Sequence, residues 1–212
     1  MLKPRILLAD DHRIFVAGLQ KLLESDFEVV GTVEDGRALL TAATKLAPDV
    51  IVTDVSMPLL NGIEAAKQLA AIVPQTRIVF LSQHADTLFA AEALRAGGAA
   101  YVLKREAPDQ LVAAIRKALK GKQTPASPSR TKTDSKLRTN STHPDSPLPL
   151  TARQKEILQL AAEGRSLKEI AFILHVSSKT VEYHKYRVMR ILGARTNSDL
   201  TTIAIRHGLI AV

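Results

Sequence analysis

The sequence predicts a parallel α/β domain followed by a small all-α domain, and three observations carry that prediction. Five short apolar, β-branched runs alternate with Ala- and Leu-rich helical patterns across residues 1–120. Residues 121–147 are almost without hydrophobic side chains. Residues 148–212 then show helical patterns opened by Ser/Thr caps and closed by glycine.

The first block reads in order as strand 5–9, helix 13–24, strand 28–33, helix 37–46, strand 50–53, helix 63–72, strand 77–81, helix 87–96, strand 99–103 and helix 109–119. Strands that alternate with helices pair in parallel, with helices on both faces. The segment 121–147 holds five Ser, five Thr and four Pro, with only Ala126 and Leu137 as hydrophobic residues. It buries too little to offset the entropy of ordering it and reads as a flexible linker. A coil of that length spans about 25–30 Å r.m.s.. In the second block, Thr151 with Gln154 and Ser166 with Glu169 form capping boxes, and Gly164 stops the first helix. His175-Val176-Ser177 is a tight turn before a helix that runs over 178–192 and stops at Gly193. Thr196 and Asp199 cap a last helix that ends before Gly208. A short helix, a three-residue turn and a longer helix is helix-turn-helix geometry.

Composition narrows the function classes. The chain of 212 residues has no cysteine, which excludes disulfides, thiolate metal sites and cysteine nucleophiles. No apolar run approaches a membrane span, and the four apolar residues before Asp10 are too few for a signal peptide, so a cytoplasmic location is expected. Aromatic content of 4% without Trp disfavours a stacking platform for single strands. The net charge of +8 is uneven: residues 1–120 hold 14 basic and 14 acidic side chains, and residues 148–212 hold 10 and 5. A basic second block suits a polyanion.

Polar residues collect at the ends of the expected strands: Asp10 and Asp11 after the first, Asp54 after the third, Ser82 after the fourth and Lys104 after the fifth. In doubly wound sheets such ends form the ligand rim. Three close carboxylates repel one another unless a cation joins them, and Mg²⁺ takes oxygen ligands from carboxylates and phosphate. Asp accepts phosphoryl groups in covalent catalysis, and a lysine holds a phosphoryl oxygen as a point charge. Asp54, alone on the middle strand, is the expected acceptor; Asp10 and Asp11 are the expected metal holders. On the 178–192 helix, Val181, Val188, Ile191 and Leu192 form one stripe. Lys179, Glu182, Tyr183, Tyr186, Arg187 and Arg190 form the other, suited to phosphates and base edges in a major groove. His184 lies near the inner stripe and reads as a packing residue.

These residues carry two family resemblances. Asp10-Asp11, Asp54-Val55-Ser56-Met57-Pro58 with Gly62, Leu81-Ser82 and Gly98 to Lys104 resemble the flavodoxin-like (βα)5 receiver domain of two-component response regulators. Residues 150–153, 156–158, 168–171, 176–184 and 191–196 resemble the LuxR-type helix-turn-helix, with Gln154-Lys155 where that family often has Glu-Arg. Together they indicate a response regulator of the NarL/FixJ type. The resemblance implies that Asp54 takes its phosphoryl group from a sensor histidine kinase. It implies Mg²⁺ on Asp11, Asp54 and the Ser56 backbone carbonyl, with Asp10 helping through water. Lys104 then bridges to the phosphoryl group, and Ser82 and Tyr101 form a switch pair. It implies that Ser178, Lys179, Thr180, Glu182, Tyr183, Lys185, Tyr186, Arg187 and Arg190 meet double-stranded DNA, with Lys179, Thr180 and Lys185 on phosphates. The last helix, through Leu200, Ile203 and Ala204, would be the dimer face of a homodimer formed on phosphorylation. A phosphatase that uses an Asp nucleophile would want a carboxylate at position 56, where Ser56 stands. A non-enzymatic regulator of transcription is therefore expected.

Overall fold

A computed structural model describes residues 3–83, 85, 87–121 and 148–210 of the chain. All but the first residue of the expected linker, 122–147, lies outside them. The N-terminal unit runs β1 (Arg5–Ala9), α1 (Arg13–Leu23), β2 (Glu28–Val33), α2 (Gly36–Leu46), β3 (Val50–Asp54), α3 (Gly62–Ile72), β4 (Arg77–Ser82), α4 (Thr87–Arg95), β5 (Ala100–Leu103) and α5 (Ala107–Leu119). All strand pairs are parallel, in the order β2-β1-β3-β4-β5. The order reverses between β1 and β3, which opens a crevice at their carboxyl ends.

Alternation along the strands splits the core in two. Leu7, Ile51, Phe80, Tyr101 and Leu103 face α2, α3 and α4. Ile6, Leu8, Val52, Val79 and Leu81 face α1 and α5. Covered on both faces, the strands read as continuous apolar runs. Two strands reach one residue further than the sequence suggests. Asp54 pairs with Leu81 and Ser82 with Leu103, so both are the last rungs of their ladders rather than loop residues. Helix α5 begins two residues early because a 3-10 turn, Lys104–Glu106, feeds straight into it, with Pro108 in its first turn.

The C-terminal unit is α6 (Ala152–Ala162), α7 (Leu167–Leu174), α8 (Ser178–Leu192) and α9 (Asn197–Arg206). Both expected capping boxes form, and a third joins Thr196 to Asp199. Ser177 caps α8. Ile157, Leu158, Leu160, Ile170, Leu174, Val181, Val188, Leu200 and Ala204 make one core. This corrects the expected dimer face. Leu200 and Ala204 are fully buried inside their own domain, where they hold α9 onto it, so they cannot also meet a partner. Ile203 is half-buried beside them, and the outward side of α9 carries Asn197, Ser198 and Thr202.

Candidate functional site

The carboxyl ends of β1 and β3 bring Asp10 and Asp54 together, 2% and 3% exposed, with Lys104 from the end of β5 at 9%. Lys104 Nζ lies 2.7 Å from Asp10 Oδ2 and 2.8 Å from Asp54 Oδ2. The Phe15 ring sits beneath the same ammonium, 5.1 Å from its centroid. Asp11 is exposed, and His12 Nδ1 lies 3.0 Å from its Oδ1 and 3.1 Å from Asp10 Oδ1. Burial pushes the Asp54 carboxyl up to about 6; Lys104 and the Ser56 backbone N–H pull the other way without cancelling it, and the nearby Asp10 adds to the rise. Lys104 is also depressed by burial, but Asp54 and Asp10 outweigh that and leave it above its ordinary value. The cluster is thus short of positive charge even with Lys104 in place.

A hard divalent cation fits this deficit. Ligand atoms of Asp10, Asp11, His12 and Asp54 lie within 4.8 Å of one another. An ion with oxygen bonds of about 2.1 Å fits among atoms so spaced. Ser82 is the last rung of β4, and Tyr101 lies on the neighbouring β5 two rungs back, opposite Phe80; both are buried. His12 does not stand out in the sequence, although its place directly after Asp10-Asp11 is an available signal.

The loop from Val55 to Asn61 that follows the acceptor is tightly held. Gly62 N–H donates to Val55 O at 2.8 Å, and a Cβ on Gly62 would stand 2.0 Å from the Asp54 carbonyl oxygen. A Cβ on Gly36 would stand 1.9 Å from Leu60 O. Leu59 occupies the left-handed region at φ 64°, uncommon for a side chain of its size.

This loop also meets the second domain, which the sequence does not disclose. Gln159 of α6 is fully buried; its Nε2 donates to Met57 O at 2.8 Å, and its Oε1 accepts from Asn61 N–H at 2.9 Å. Glu163 accepts from Leu59 N–H at 3.0 Å, and Leu59 packs against the helical core. Burial raises the Glu163 carboxyl above its ordinary range despite the bonds from Gln159 and Leu59. Around these contacts, Lys155 lies 3.1 Å from both Glu64 and Glu92, and Glu156 pairs with Arg37 at 2.9 Å and Arg153 at 3.0 Å. Gly208, just past α9, lies against the Phe89 ring of α4.

The other expected surface is open. Tyr183 and Tyr186 on α8 are 57% and 67% exposed, and Ser178, Lys179, Glu182, Arg187 and Arg190 are exposed with them. Arg187 donates to Tyr183 Oη at 3.2 Å and lies over its ring, which holds both side chains on one face. Thr180 and Lys185 are half-buried; the Thr180 hydroxyl is 2.8 Å from Ser177 Oγ in the helix cap. His184 is half-buried and packs edge-on to Tyr183.

Comparison with known proteins agrees with both halves. Residues 6–116 match the response regulator receiver domain, and residues 148–204 match the bacterial regulatory proteins of the luxR family. The chain is 34% identical to the uncharacterized transcriptional regulatory protein YxjL of Bacillus subtilis, over 98% of each chain. It is 33% identical to the response regulator UvrY of Escherichia coli, over 96% of this chain and 94% of that one. Among solved structures, it resembles RcsB of Salmonella typhimurium, with a TM-score of 0.67, 30% identity and coverage of 98% and 99%. It also resembles RcsB in complex with DNA, with a TM-score of 0.57, 31% identity and coverage of 99% and 100%. No helix among the described residues is long and apolar enough to cross a membrane. With a receiver's carboxylate rim in front and an open helix-turn-helix behind, the chain belongs to the two-component response regulators, as a DNA-binding transcription regulator of the LuxR type.

Proposed function

We propose that Asp54 accepts a phosphoryl group from a sensor histidine kinase and that this modification governs dimerisation and sequence-specific DNA binding. The observation that carries the reading is Lys104, whose ammonium spans two buried carboxylates, Asp10 and Asp54, at 2.7 and 2.8 Å. An Asp54 carboxylate oxygen attacks phosphorus, the bond from phosphorus to the donor breaks, and the donor leaves with that electron pair. Asp10, Asp11, Asp54 and the Ser56 carbonyl are the groups that would hold Mg²⁺, which when bound supplies charge neutralisation at the phosphoryl oxygens. Lys104 leaves Asp54 to hold one of those oxygens, and Ser82 donates a hydrogen bond to another. Because an aspartate must be ionised to attack, the raised Asp54 makes the reaction dependent on the cation and on Lys104. Incubation with acetyl phosphate and Mg²⁺ is expected to raise the mass of the chain by one phosphoryl group. Uptake by D54A would overturn the acceptor assignment.

For DNA, the exposed face of α8 supplies Lys179, Arg187 and Arg190 as phosphate-facing charge, with Glu182, Tyr183 and Tyr186 nearer the bases. A K179A/R187A/R190A variant is expected to lose affinity for specific and random duplexes alike. The slope of log K against log salt should fall by about 0.9 for each phosphate that the variant leaves unneutralised. An unchanged slope in fluorescence anisotropy titrations would remove these side chains from the DNA surface.

A further inference from the structure

We infer that Phe15 is a positioning residue for Lys104, and that its ring steers the ammonium as Lys104 passes from the Asp54 carboxylate to an incoming phosphoryl group. The inference rests on the proposed role of Asp54 and adds a residue that acts through the lysine. The ring comes from the same junction as the acidic residues: Phe15 is the third residue of α1, four residues after Asp11. Val16, Leu19 and Leu23 of that helix turn into the core, and Ile14 turns out to solvent at 92% exposure. Phe15 stands between these directions. It is half-buried and packs against the core that α1 and α5 cover, while Lys104 Nζ lies over its ring, 5.1 Å from the centroid. An aromatic face attracts a cation most where water is excluded, and Lys104 is buried.

The neighbours of the ammonium differ in how they respond to loading. Asp10 Oδ2 at 2.7 Å and Asp54 Oδ2 at 2.8 Å make close, directional contacts, and His12 Nδ1 lies further off at 3.4 Å. In the unloaded site the two carboxylates hold the ammonium whether or not a ring lies beside it. On loading, Lys104 gives up Asp54 for a phosphoryl oxygen. Its flexible four-carbon stem is then anchored by Asp10 on one side only until the new bond forms. The ring face is broad, and its attraction fades only gradually as the cation slides across it. It therefore keeps the ammonium over the rim through the exchange. The ring contributes more once Asp54 is released than while Asp54 is held, and a difference of that kind appears in the affinity for the loaded state. Leucine at position 15 fills a similar volume and keeps the packing, but it has no π face to offer a cation.

The test uses the full chain, with beryllium fluoride and Mg²⁺ as a phosphoryl mimic. Titration calorimetry measures binding to the wild type, F15L and F15Y, and circular dichroism verifies that each variant keeps its helices. F15L is expected to bind about fivefold more weakly, the scale of one cation–π contact. F15Y keeps the ring and is expected to bind within twofold of the wild type. NMR of the wild type with isotope-labelled lysine reads the contact without any substitution at position 15. The Lys104 ε-methylene protons, assigned through K104R, should lie upfield of those of the other lysines because of the Phe15 ring current, both before and after loading. F15L binding within twofold of the wild type, F15Y binding as weakly as F15L, or Lys104 ε protons at the position of the other lysines would each overturn the role of the ring. If the wild type itself binds no mimic, the proposed role of Asp54 fails and this inference falls with it.

Discussion

D54N is expected to stabilise the cation-free protein at pH 7 while abolishing phosphoryl uptake. Asp54 titrates at about 6 in the folded chain against 3.8 for an ordinary aspartate. The folded state therefore binds the proton more tightly than the unfolded one. The contribution of Asp54 to stability is fully present below pH 3.8 and is lost as pH rises through about 6. At pH 7 the ionised, buried carboxylate costs on the order of 2–3 kcal/mol. Asn keeps the shape and carries no charge, and Lys104 retains Asp10 as its partner. Urea denaturation without divalent cations should place D54N above wild type at pH 7, and the gap should shrink toward pH 5. An equal or larger gap at pH 5 would mean that charge is not the cause. Added Mg²⁺ should close the gap at pH 7 by stabilising the wild type alone, since a cation that binds only the folded state raises its stability by mass action.

That prediction turns on residues that stand out in the sequence itself. Strand ends are legible because a buried parallel strand is an apolar run and its polar successor stands out, as Asp10, Asp54 and Lys104 do. The helices of the second domain are legible from local chemistry: each Ser/Thr followed three residues later by Gln, Glu or Asp became a cap. The features that escape such reading are set by tertiary packing. Gln159 and Glu163 look like the solvated side of an amphipathic helix, yet Gln159 is fully buried, and Lys155 and Glu156 on the same helix are buried with it against the receiver. Leu200 and Ala204 look like a dimer face because an apolar stripe does not say whether it faces its own core or a partner. Helix α5 starts early because a 3-10 turn has no strong sequence signature.

The second large effect concerns glycines that frame the acceptor loop, where one substitution has opposite signs at different places. In G62A the new Cβ meets the Asp54 carbonyl oxygen at 2.0 Å, and in G36A it meets Leu60 O at 1.9 Å. Both neighbours are backbone atoms, one the last carbonyl of β3 and the other in the loop that the bond from Gly62 N–H to Val55 O and the contacts with α6 hold in place, so the clash cannot relax by a rotamer change. Each variant is expected to lose about 3 kcal/mol of stability, the upper end for an overpacked core position. G18A is the control. Gly18 lies within α1 with open space around it, and alanine there is expected to add about 0.5–1 kcal/mol through helix propensity. Denaturation midpoints measure all three. Mg²⁺ titration separates local from global damage: G62A moves the end of β3 that carries Asp54 and should weaken cation binding in the fraction that still folds, while G18A should leave it unchanged. A G62A protein as stable as wild type, with the same cation affinity, would show that the loop is soft and that its geometry does not position the acceptor.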